Sequence, residues 1–369
     1  MSRLKIVVAG GGLIAQVEHI PNLLFLRDRF ELLAVADPSQ ATRDHIARQF
    51  GIKTVVAVDE LWSLGASAMV VAAPDAYHHR ITAEALDRGL DVLCEKPLAL
   101  SVEAIDDLIR RRDKAGRILQ VGFMKRFDPS YEMLAEEVTG LGERLRYVAV
   151  EVNDPDSWPF VEHHAFLRAS DLPEELKAEN RRRLAEQASK AVGVALDSDD
   201  VHAYVDSFSS SMIHDLNLVN GLFDAMGIRE RRALNATIFA KGRGTSAAMS
   251  LNGSQALCQL SHVVVPNLAD YNERISLFFD DRRFELIFPS PYLHNFQTRL
   301  VSYRSDGMRL VSSETRQGFR ESFVCELEGF WNSVVNGTPV RNPPEEARLD
   351  MELVREFMLL ALASRRALR

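Results

Sequence analysis

Residues 7–16, VVAGGGLIAQ, join an apolar strand to the start of a helix through three consecutive glycines. Gly10, Gly12 and Ala15 give the spacing Gly-x-Gly-x-x-Ala. In such a turn the first glycine permits the tight bend and the second lets the backbone approach a pyrophosphate. The third position needs a small residue so that the helix can pack on the strand. The amino terminus of the helix then faces the phosphates. The stretch therefore predicts a βαβ unit that binds a dinucleotide.

An acid stands at the end of the second predicted strand. Phe30–Ala36 reads as that strand, and Asp37 follows it at about the 20-residue distance expected for a ribose-binding acid. A carboxylate there accepts a hydrogen bond from the ribose 2′-OH and repels a 2′-phosphate, which favours NAD over NADP. Alternatively, Asp37 and Ser39 only cap the second helix, which is expected to end near Gly51.

Apolar and amphipathic runs alternate through the first third of the chain. The predicted strands are Leu4–Ala9, Phe30–Ala36, Val55–Val58, Ala68–Ala73, Val92–Cys94 and Ile118–Phe123. Strands that alternate with helices of this kind indicate βαβ units and a parallel sheet. We therefore expect an α/β protein with an amino-terminal, doubly wound Rossmann sheet over residues 1–124.

The pattern changes after about Phe127, where strands begin to follow one another. Residues 275–288, ISLFFDDRRFELIF, read as two strands around a tight turn. Such runs predict an antiparallel sheet. We expect a second, α+β domain over 125–343 with a large, mostly antiparallel sheet, and a final helix over 344–369.

A charged segment of helical pattern interrupts the second domain at about 154–205. It is expected to be either a solvated surface helix or a lid or dimer arm over a functional site. Trp158 in this segment could stack on a sugar face, or could anchor the segment by burying its ring.

The charge balance limits the classes of partner. A net charge of −8 and a pI near 5.8 argue against nucleic acid or an anionic membrane as partners. No apolar run is long enough to span a bilayer. The three cysteines form no zinc pattern, and a reducing cytoplasm is the simplest location for them. Adjacent histidines in EHH, residues 162–164, point in different directions, so no metal site is expected.

The predicted strand at Val92–Cys94 ends in Glu95-Lys96-Pro97. Ligands of open α/β sheets bind outside the carboxyl ends of the strands. A lysine at this edge therefore suggests a functional role.

Several motifs together resemble the Gfo/Idh/MocA oxidoreductases, a family named for glucose-fructose oxidoreductase, inositol dehydrogenase and rhizopine catabolism. The resemblance covers most of the chain, and its motifs occur in the family's order. They are the glycine turn, AAPDAYHH (72–79), ALDRGLDVLCEKPLAL (85–100), VGFMKRFDP (121–129) and MIHDLNLV (212–219). The resemblance implies a Rossmann domain followed by an α/β domain with an open antiparallel sheet, in agreement with the strand pattern.

The resemblance also implies roles for particular residues. Lys96 would lie beside the nicotinamide and the substrate hydroxyl, and His214 would be the general acid or base. The candidate cofactor-binding residues are Gly10, Gly12, Leu13, Ile14, Asp37, Pro74, His78, Glu95 and Lys96. The candidate substrate-binding residues are Arg126, Trp158, Ser210 and Asp215. Arg126 could instead pair structurally with Asp128.

The chain departs from the family pattern Asp-x-x-x-His, because Ser210 stands four residues before His214. A serine can hydrogen-bond a substrate hydroxyl but carries no negative charge at neutral pH. Asp215 would point about 100° away from His214 on a helix. The carboxylate that usually assists the lysine and histidine is therefore expected to be missing.

The expected function is an NAD-dependent oxidoreductase that moves a hydride between nicotinamide and a carbinol carbon of a sugar, polyol or cyclitol. Two alternatives remain open. Tightly bound NAD could serve a net non-redox sugar reaction, or the protein could be a non-catalytic NAD-binding sensor. A homodimer or homotetramer is expected, since the resemblance implies an exposed sheet face that is commonly buried by oligomerisation.

Overall fold

The computed structural model describes residues 3–155, 157–253 and 255–367. The chain forms two compact units. The first comprises residues 1–124, 161–187 and 323–348, and the second comprises 125–160, 188–322 and 349–369. The expected insert at 154–205 is thus divided between the units, since 161–187 belongs to the first.

Fourteen strands are found in the described part of the chain. They are β1 (Leu4–Ala9), β2 (Phe30–Ala36), β3 (Thr54–Val55), β4 (Ala68–Val71), β5 (Asp91–Glu95), β6 (Leu119–Gly122), β7 (Leu145–Asp154), β8 (Arg231–Phe239), β9 (Gly244–Leu251), β10 (Ala256–Val264), β11 (Asn272–Phe279), β12 (Arg282–Phe288), β13 (Arg299–Asp306) and β14 (Arg309–Arg316).

The α-helices of the same residues are numbered along the chain. They are α1 (Ile20–Phe25), α2 (Gln40–Phe50), α3 (His78–Asp87), α4 (Val102–Ala115), α5 (Pro129–Glu137), α6 (Trp158–Val161), α7 (Glu174–Val192), α8 (Ser198–His202), α9 (Ile213–Met226), α10 (Ser322–Asn336) and α11 (Pro344–Ala367). Short 3-10 turns cover Val58–Leu64, Asp75–Tyr77, Met124–Phe127, Gly142–Arg144 and Ala240–Gly242.

The first unit contains a six-stranded parallel sheet in the order β3-β2-β1-β4-β5-β6. This is the strand order of the doubly wound dinucleotide-binding fold, so the predicted Rossmann sheet is confirmed. Ile6 and Val8 of β1 are fully buried in a core that also contains Leu327, Phe330 and Trp331 of α10. A helix from the far end of the chain therefore completes the core of the amino-terminal sheet.

The boundaries of α2 follow the predicted signals. The side chain of Ser39 accepts a hydrogen bond from the Thr42 N–H, and Gly51 ends the helix with φ +68°. The predicted strand Val55–Val58 is shorter, because the Glu60 carboxylate accepts the N–H groups of Val56 and Ala57 and starts a 3-10 turn there.

The second unit contains an eight-stranded sheet in the order β14-β13-β12-β11-β7-β10-β9-β8. Every neighbouring pair is antiparallel except β7 and β10, which run parallel from the Tyr147–Leu257 pair onward. The mostly antiparallel second sheet is therefore confirmed, and so is the predicted turn between β11 and β12.

Two helical segments are wound more loosely than an α-helix. Ala15–His19, at the start of the first Rossmann helix, and Ala203–Met212, directly before α9, are π-helical. Such segments are rare in proteins and frequently occur at functional sites. The first segment contains His19, and the second contains Ser210.

No helix in the described ranges is both long and apolar enough to cross a membrane. Cys94, Cys258 and Cys325 form no disulfide bond among the described residues, and the first two are buried.

Candidate active site

The glycine turn has the geometry that the spacing predicts. Gly10 adopts φ +102°, and a Cβ there would collide with the carbonyl group of Ala72. A Cβ at Gly12 would meet no described atom within 4 Å, so the turn is open on that side. Ala15 is fully buried against the sheet. The residues fit a dinucleotide, because the backbone at Gly12 can be approached closely by a pyrophosphate.

Asp37 follows β2 at the same edge of the sheet and binds the glycine turn. Its Oδ2 accepts the Gly11 N–H at 2.9 Å, and its Oδ1 accepts the Ser39 N–H at 2.9 Å. Burial raises the pKa of Asp37, while the Ser39 and Gly11 N–H groups and the charge of Arg43 act in the opposite direction. The carboxylate is therefore positioned between the glycine turn and α2.

Lys96 directly follows β5, at the carboxyl edge of the sheet that also carries the glycine turn and Asp37. Glu95, the last residue of β5, is buried, and its Oε1 lies 2.8 Å from Nε2 of His19. Its Oε2 accepts the Lys96 N–H at 3.2 Å. Burial alone would raise the pKa of Glu95, but the hydrogen bond and charge of His19, aided by Lys96 and His78, lower it. Glu95 is thus a buried anion that fixes the backbone at Lys96.

Pro74 lies in the loop that follows β4, and His78 is the first residue of α3 after that loop. Pro74 precedes the 3-10 turn Asp75–Tyr77, and His78 is buried with 1% exposure. The ring nitrogens of His78 lie 2.8 Å from the Pro97 carbonyl oxygen and 2.7 Å from that of Ala73. His78 therefore links the loop after β4 to the loop after β5, where it contacts Pro97, the residue after Lys96.

Glu326 on α10 is a buried acid that sequence reasoning missed. It is fully buried, and neither carboxyl oxygen has a hydrogen-bond partner among the described residues. Burial, with the charge of Glu95, raises its pKa well above the ordinary value. The available signal was its spacing, since Phe323, Leu327 and Phe330 place it on the apolar face of the helix. Burial and the nearby Glu95 therefore favour the neutral form of the Glu326 carboxyl group.

Residues 161–187, here called the strap, pack on the carboxyl edge of the Rossmann sheet. Gln16 Oε1 accepts a hydrogen bond from the Leu167 N–H at 2.9 Å. Gln16 Nε2 donates to the carbonyl oxygen of Leu167 at 3.1 Å. The same side chain donates to the Gly11 carbonyl oxygen at 2.7 Å. The strap is therefore joined to the glycine turn itself.

Further contacts of the strap follow the same edge. His45 Nε2 lies 2.6 Å from the Ala165 carbonyl oxygen, and the Gln187 side chain donates to the Ala76 carbonyl oxygen at 3.0 Å. Asp171 binds the start of α2, where its Oδ1 accepts from Ser39 Oγ at 2.6 Å. The strap thus extends past the glycine turn, α2 and the loop after β4.

His214 is the second residue of α9 in the second unit and is partly buried. Ser210, also partly buried, lies in the π-helical segment before it. His202, the last residue of α8, contacts the side chain of Asp206 in the same segment. The spacing of Ser210 and His214 spans the junction of the two helix types, so an α-helical projection does not describe it.

Asp215 contributes to a buried ionic cluster in the second unit. Lys125 Nζ lies 3.3 Å from Asp215 Oδ1 and also pairs with Glu273, to which the Tyr271 hydroxyl donates. Burial and the charge of Glu273 raise the pKa of Asp215 well above its ordinary value. Burial would raise the pKa of Glu273 as well, but Lys125 and a hydrogen bond with Asp215 lower it. The surroundings therefore favour the neutral form of Asp215 and the charged form of Glu273.

The other candidate substrate residues have separate environments in the second unit. Arg126 donates to the Asn217 carbonyl oxygen at 3.2 Å, and its guanidinium lies 5.5 Å from the centre of the Tyr131 ring. The Asp128 carboxylate caps α5 and accepts from the Thr298 hydroxyl. Trp158 begins α6 and is 53% exposed.

Comparison with known proteins places this site in context. A model of the oxidoreductase family with an NAD-binding Rossmann fold matches residues 4–123. Inositol 2-dehydrogenase 1 of Saccharopolyspora erythraea is 32% identical over 132 residues, which is 35% of this chain and 39% of that protein. The scyllo-inositol 2-dehydrogenase (NAD(+)) of Bacillus subtilis is 32% identical over 115 residues, 31% of this chain and 34% of that protein. These alignments thus cover less than half the length of either relative.

The fold resembles solved structures along its whole length. UDP-N-acetylglucosamine 3-dehydrogenase from Acidithiobacillus ferrooxidans matches with a TM-score of 0.71 over 98% of this chain and 99% of that chain, at 20% identity. At this identity the likeness concerns the fold alone. The segment that the family model matches contains the glycine turn, the acid after β2 and the lysine after β5. Residues 4–123 thus match the Gfo/Idh/MocA oxidoreductases, a family with an NAD-binding Rossmann fold.

Proposed function

We propose that this protein is an NAD-dependent oxidoreductase that acts on a CH–OH group of a sugar, polyol or cyclitol. The observation that carries the proposal is the common edge of the first sheet, where the open glycine turn, Asp37 and Lys96 all follow carboxyl ends of strands. In open α/β sheets this edge binds the ligand. The names of the curated relatives, which are inositol 2-dehydrogenases, support the class of substrate.

The cofactor would be held by residues of the first unit. The backbone at Gly12, Leu13 and Ile14 would receive the pyrophosphate, and Asp37 would bind the ribose hydroxyls. When bound, the nicotinamide supplies the carbon that accepts or gives the hydride. Asp37 favours NAD, because a 2′-phosphate would approach a carboxylate.

The chain's own residues would handle the proton. Oxidation of a carbinol removes a hydride from carbon and a proton from the hydroxyl group. The Lys96 ammonium stabilises negative charge that develops on that oxygen, and Glu95 and His78 fix its loop. His214 takes the proton as general base. Arg126, Trp158, Ser210 and Asp215 are proposed to shape the substrate site, with Ser210 as a neutral hydrogen-bonding group.

The strap favours a second candidate function within the same enzyme class. A segment joined to the glycine turn through Gln16 and Leu167 would slow the release of a bound dinucleotide. Retained NAD that is reduced and reoxidised within one turnover would support a net non-redox sugar reaction. Nucleotide that is released only when the purified protein is denatured would favour this candidate.

We also propose that the domains divide at residues 124 and 343. The protein is proposed to be cytoplasmic and to form a homo-oligomer. The two buried thiols fit a reducing compartment.

The test is the reduction of NAD by the purified protein with a panel of inositols, sugars and sugar acids. Absorbance at the NADH band should rise with at least one substrate, and Lys96→Ala should abolish the rise. Glu175→Gln, which removes an exposed acid of the strap, should not change it. NADH binding without turnover by any panel member, equal in the wild type and Lys96→Ala, would favour the sensor function instead.

A further inference from the structure

We infer that Asp171 of the strap is a specificity-determining residue that excludes a 2′-phosphate from the cofactor site and so restricts the protein to NAD. This inference rests on the proposed function, because it concerns the cofactor that the same site would bind.

The argument begins with the groups that follow Asp37. A ribose bound at Asp37 presents its 2′-oxygen to this loop. A phosphate on that oxygen would extend toward Ser39 and Ala41, which stand at the amino terminus of α2. Hydroxyl and N–H donors at a helix amino terminus are the groups that bind phosphate.

Asp171 already binds both of these donors. Its Oδ1 accepts from Ser39 Oγ at 2.6 Å, and its Oδ2 accepts from the Ala41 N–H at 3.0 Å. The carboxylate therefore occupies the position that an anion would take and contributes a negative charge of its own. Its charge also acts on Asp37, whose pKa it helps to raise. A 2′-phosphate would meet two carboxylates instead of a set of open donors.

The nearby cation is directed away from this position. Arg43 is buried in α2, and its Nη1 donates to the Asp37 carbonyl oxygen at 2.7 Å. Its Nη2 binds the Gln40 side chain. In NADP-binding relatives of the fold an arginine accommodates the 2′-phosphate. Arg43 could do so only by giving up these contacts.

The position of Asp171 depends on the strap. Ala165 accepts a hydrogen bond from His45, and Leu167 is hydrogen-bonded to Gln16, so the strap is attached to the unit at two points shortly before Asp171. Asp171 itself is exposed to solvent. Its repulsion of a phosphate should consequently weaken with salt, since exposed charges are screened over about 8 Å at physiological ionic strength.

The experiment measures nucleotide binding and needs no turnover. Dissociation constants for NADH and NADPH are determined by fluorescence for the wild type, Asp171→Asn, Asp171→Ser and Glu175→Gln. Asp171→Asn keeps an oxygen acceptor for Ser39 and removes the charge, and Glu175→Gln removes a strap charge that does not touch α2. Competition by 2′,5′-ADP and 5′-AMP isolates the contribution of the phosphate.

The ratio of the NADPH to the NADH dissociation constant is the readout. Both Asp171 variants should lower it by about tenfold or more at low salt, the scale of a removed like-charge contact, and the effect should shrink as salt is added. 2′,5′-ADP should gain affinity relative to 5′-AMP, and Glu175→Gln should match the wild type.

Suppose that the wild type binds NADH and that both Asp171 variants keep the NADPH to NADH ratio within about twofold of the wild-type value. This result would overturn the inference and leave the proposed function standing. A wild type that binds neither nucleotide would overturn both. A uniform loss of affinity for NADH and NADPH would show that Asp171 only anchors the strap, and would also refute its role in specificity.

Discussion

The buried cluster around Lys125 gives the sharpest prediction for stability. Lys125→Met replaces the ammonium by an apolar side chain of similar length. Lys125 is 7% exposed, and its two partners, Asp215 and Glu273, are 1% and 0% exposed, so the carboxylate of Glu273 would lose its counter-ion out of contact with water. Breaking a buried ion pair in this way costs about 3–5 kcal/mol.

That cost corresponds to a large change in melting temperature. For a unit of this size 1 kcal/mol shifts Tm by about 2–4 °C, so Lys125→Met should lower it by about 6–20 °C. Urea unfolding followed by circular dichroism gives the free energy, and differential scanning fluorimetry gives Tm. The double variant Lys125→Met with Glu273→Gln removes both charges and should recover most of the loss.

The pH dependence follows from the same groups. The folded-state pKa of Glu273 lies below its ordinary value of 4.5, so its stabilisation is present above that pH and is lost as the pH falls. Burial acts to lower the pKa of Lys125, but Asp215 and Glu273 raise it above 10.5, so its stabilisation is present below that value. The difference between the wild type and Lys125→Met should be complete between these limits. A loss under about 1 kcal/mol at neutral pH, which is the range of exposed pairs, would refute the reasoning.

Three further predictions concern the first unit. Gly10→Ala should lower Tm, because Cβ would collide at φ +102°, whereas Gly12→Ala should keep Tm and weaken NADH binding measured by fluorescence. Glu326→Gln should raise Tm at about pH 8 but not at pH 4.5, because the raised folded-state pKa makes ionisation destabilising as pH rises above the ordinary value. His19→Leu should leave burial as the main influence on Glu95 and raise its pKa, so that Tm falls as pH rises from about 5 to 8, while His19→Gln should retain most of the stability.

Local signals in the sequence were sufficient for most of the fold. The alternation of apolar runs and amphipathic runs predicted the parallel sheet, and the cap residues Ser39 and Gly51 fixed both ends of α2. Ser101 and Gly116 do the same for α4. These features depend on residues within one helix or strand, so they can be read along the chain. The family resemblance was confirmed over residues 4–123.

Contacts between distant residues could not be predicted in the same way. Ser39 and Asp171 are 132 residues apart, and neither residue's surroundings indicate the other. The charged helical pattern of 154–205 was compatible with a surface helix, a lid or a dimer arm, and it did not indicate the hydrogen bond between Gln16 and Leu167. The roles of the catalytic and substrate candidates stay predictions.

The π-helical segments were also outside the reach of the sequence. An α-helical wheel placed His214 and Ser210 on one face and Asp215 about 100° away. The wider winding of Ala203–Met212 changes the rotation per residue, so the wheel fails before α9 begins. The sequence analysis named Asp215 only as a candidate substrate residue, and it did not indicate the contact of Asp215 with Lys125.

The hydrophobic core of the first unit cannot be completed when residues 1–124 are synthesised, because part of that core comes from α10. Residues 1–124 leave the ribosome before Leu327, Phe330 and Trp331, which belong to the core around β1 and follow about 200 residues later. At about 5–20 residues per second, this interval leaves apolar surface of the sheet exposed for about 10 seconds or more. The nascent protein is therefore expected to depend on chaperones until α10 is made. Ribosome-bound chains arrested before Ser322 should remain sensitive to protease within their first 124 residues.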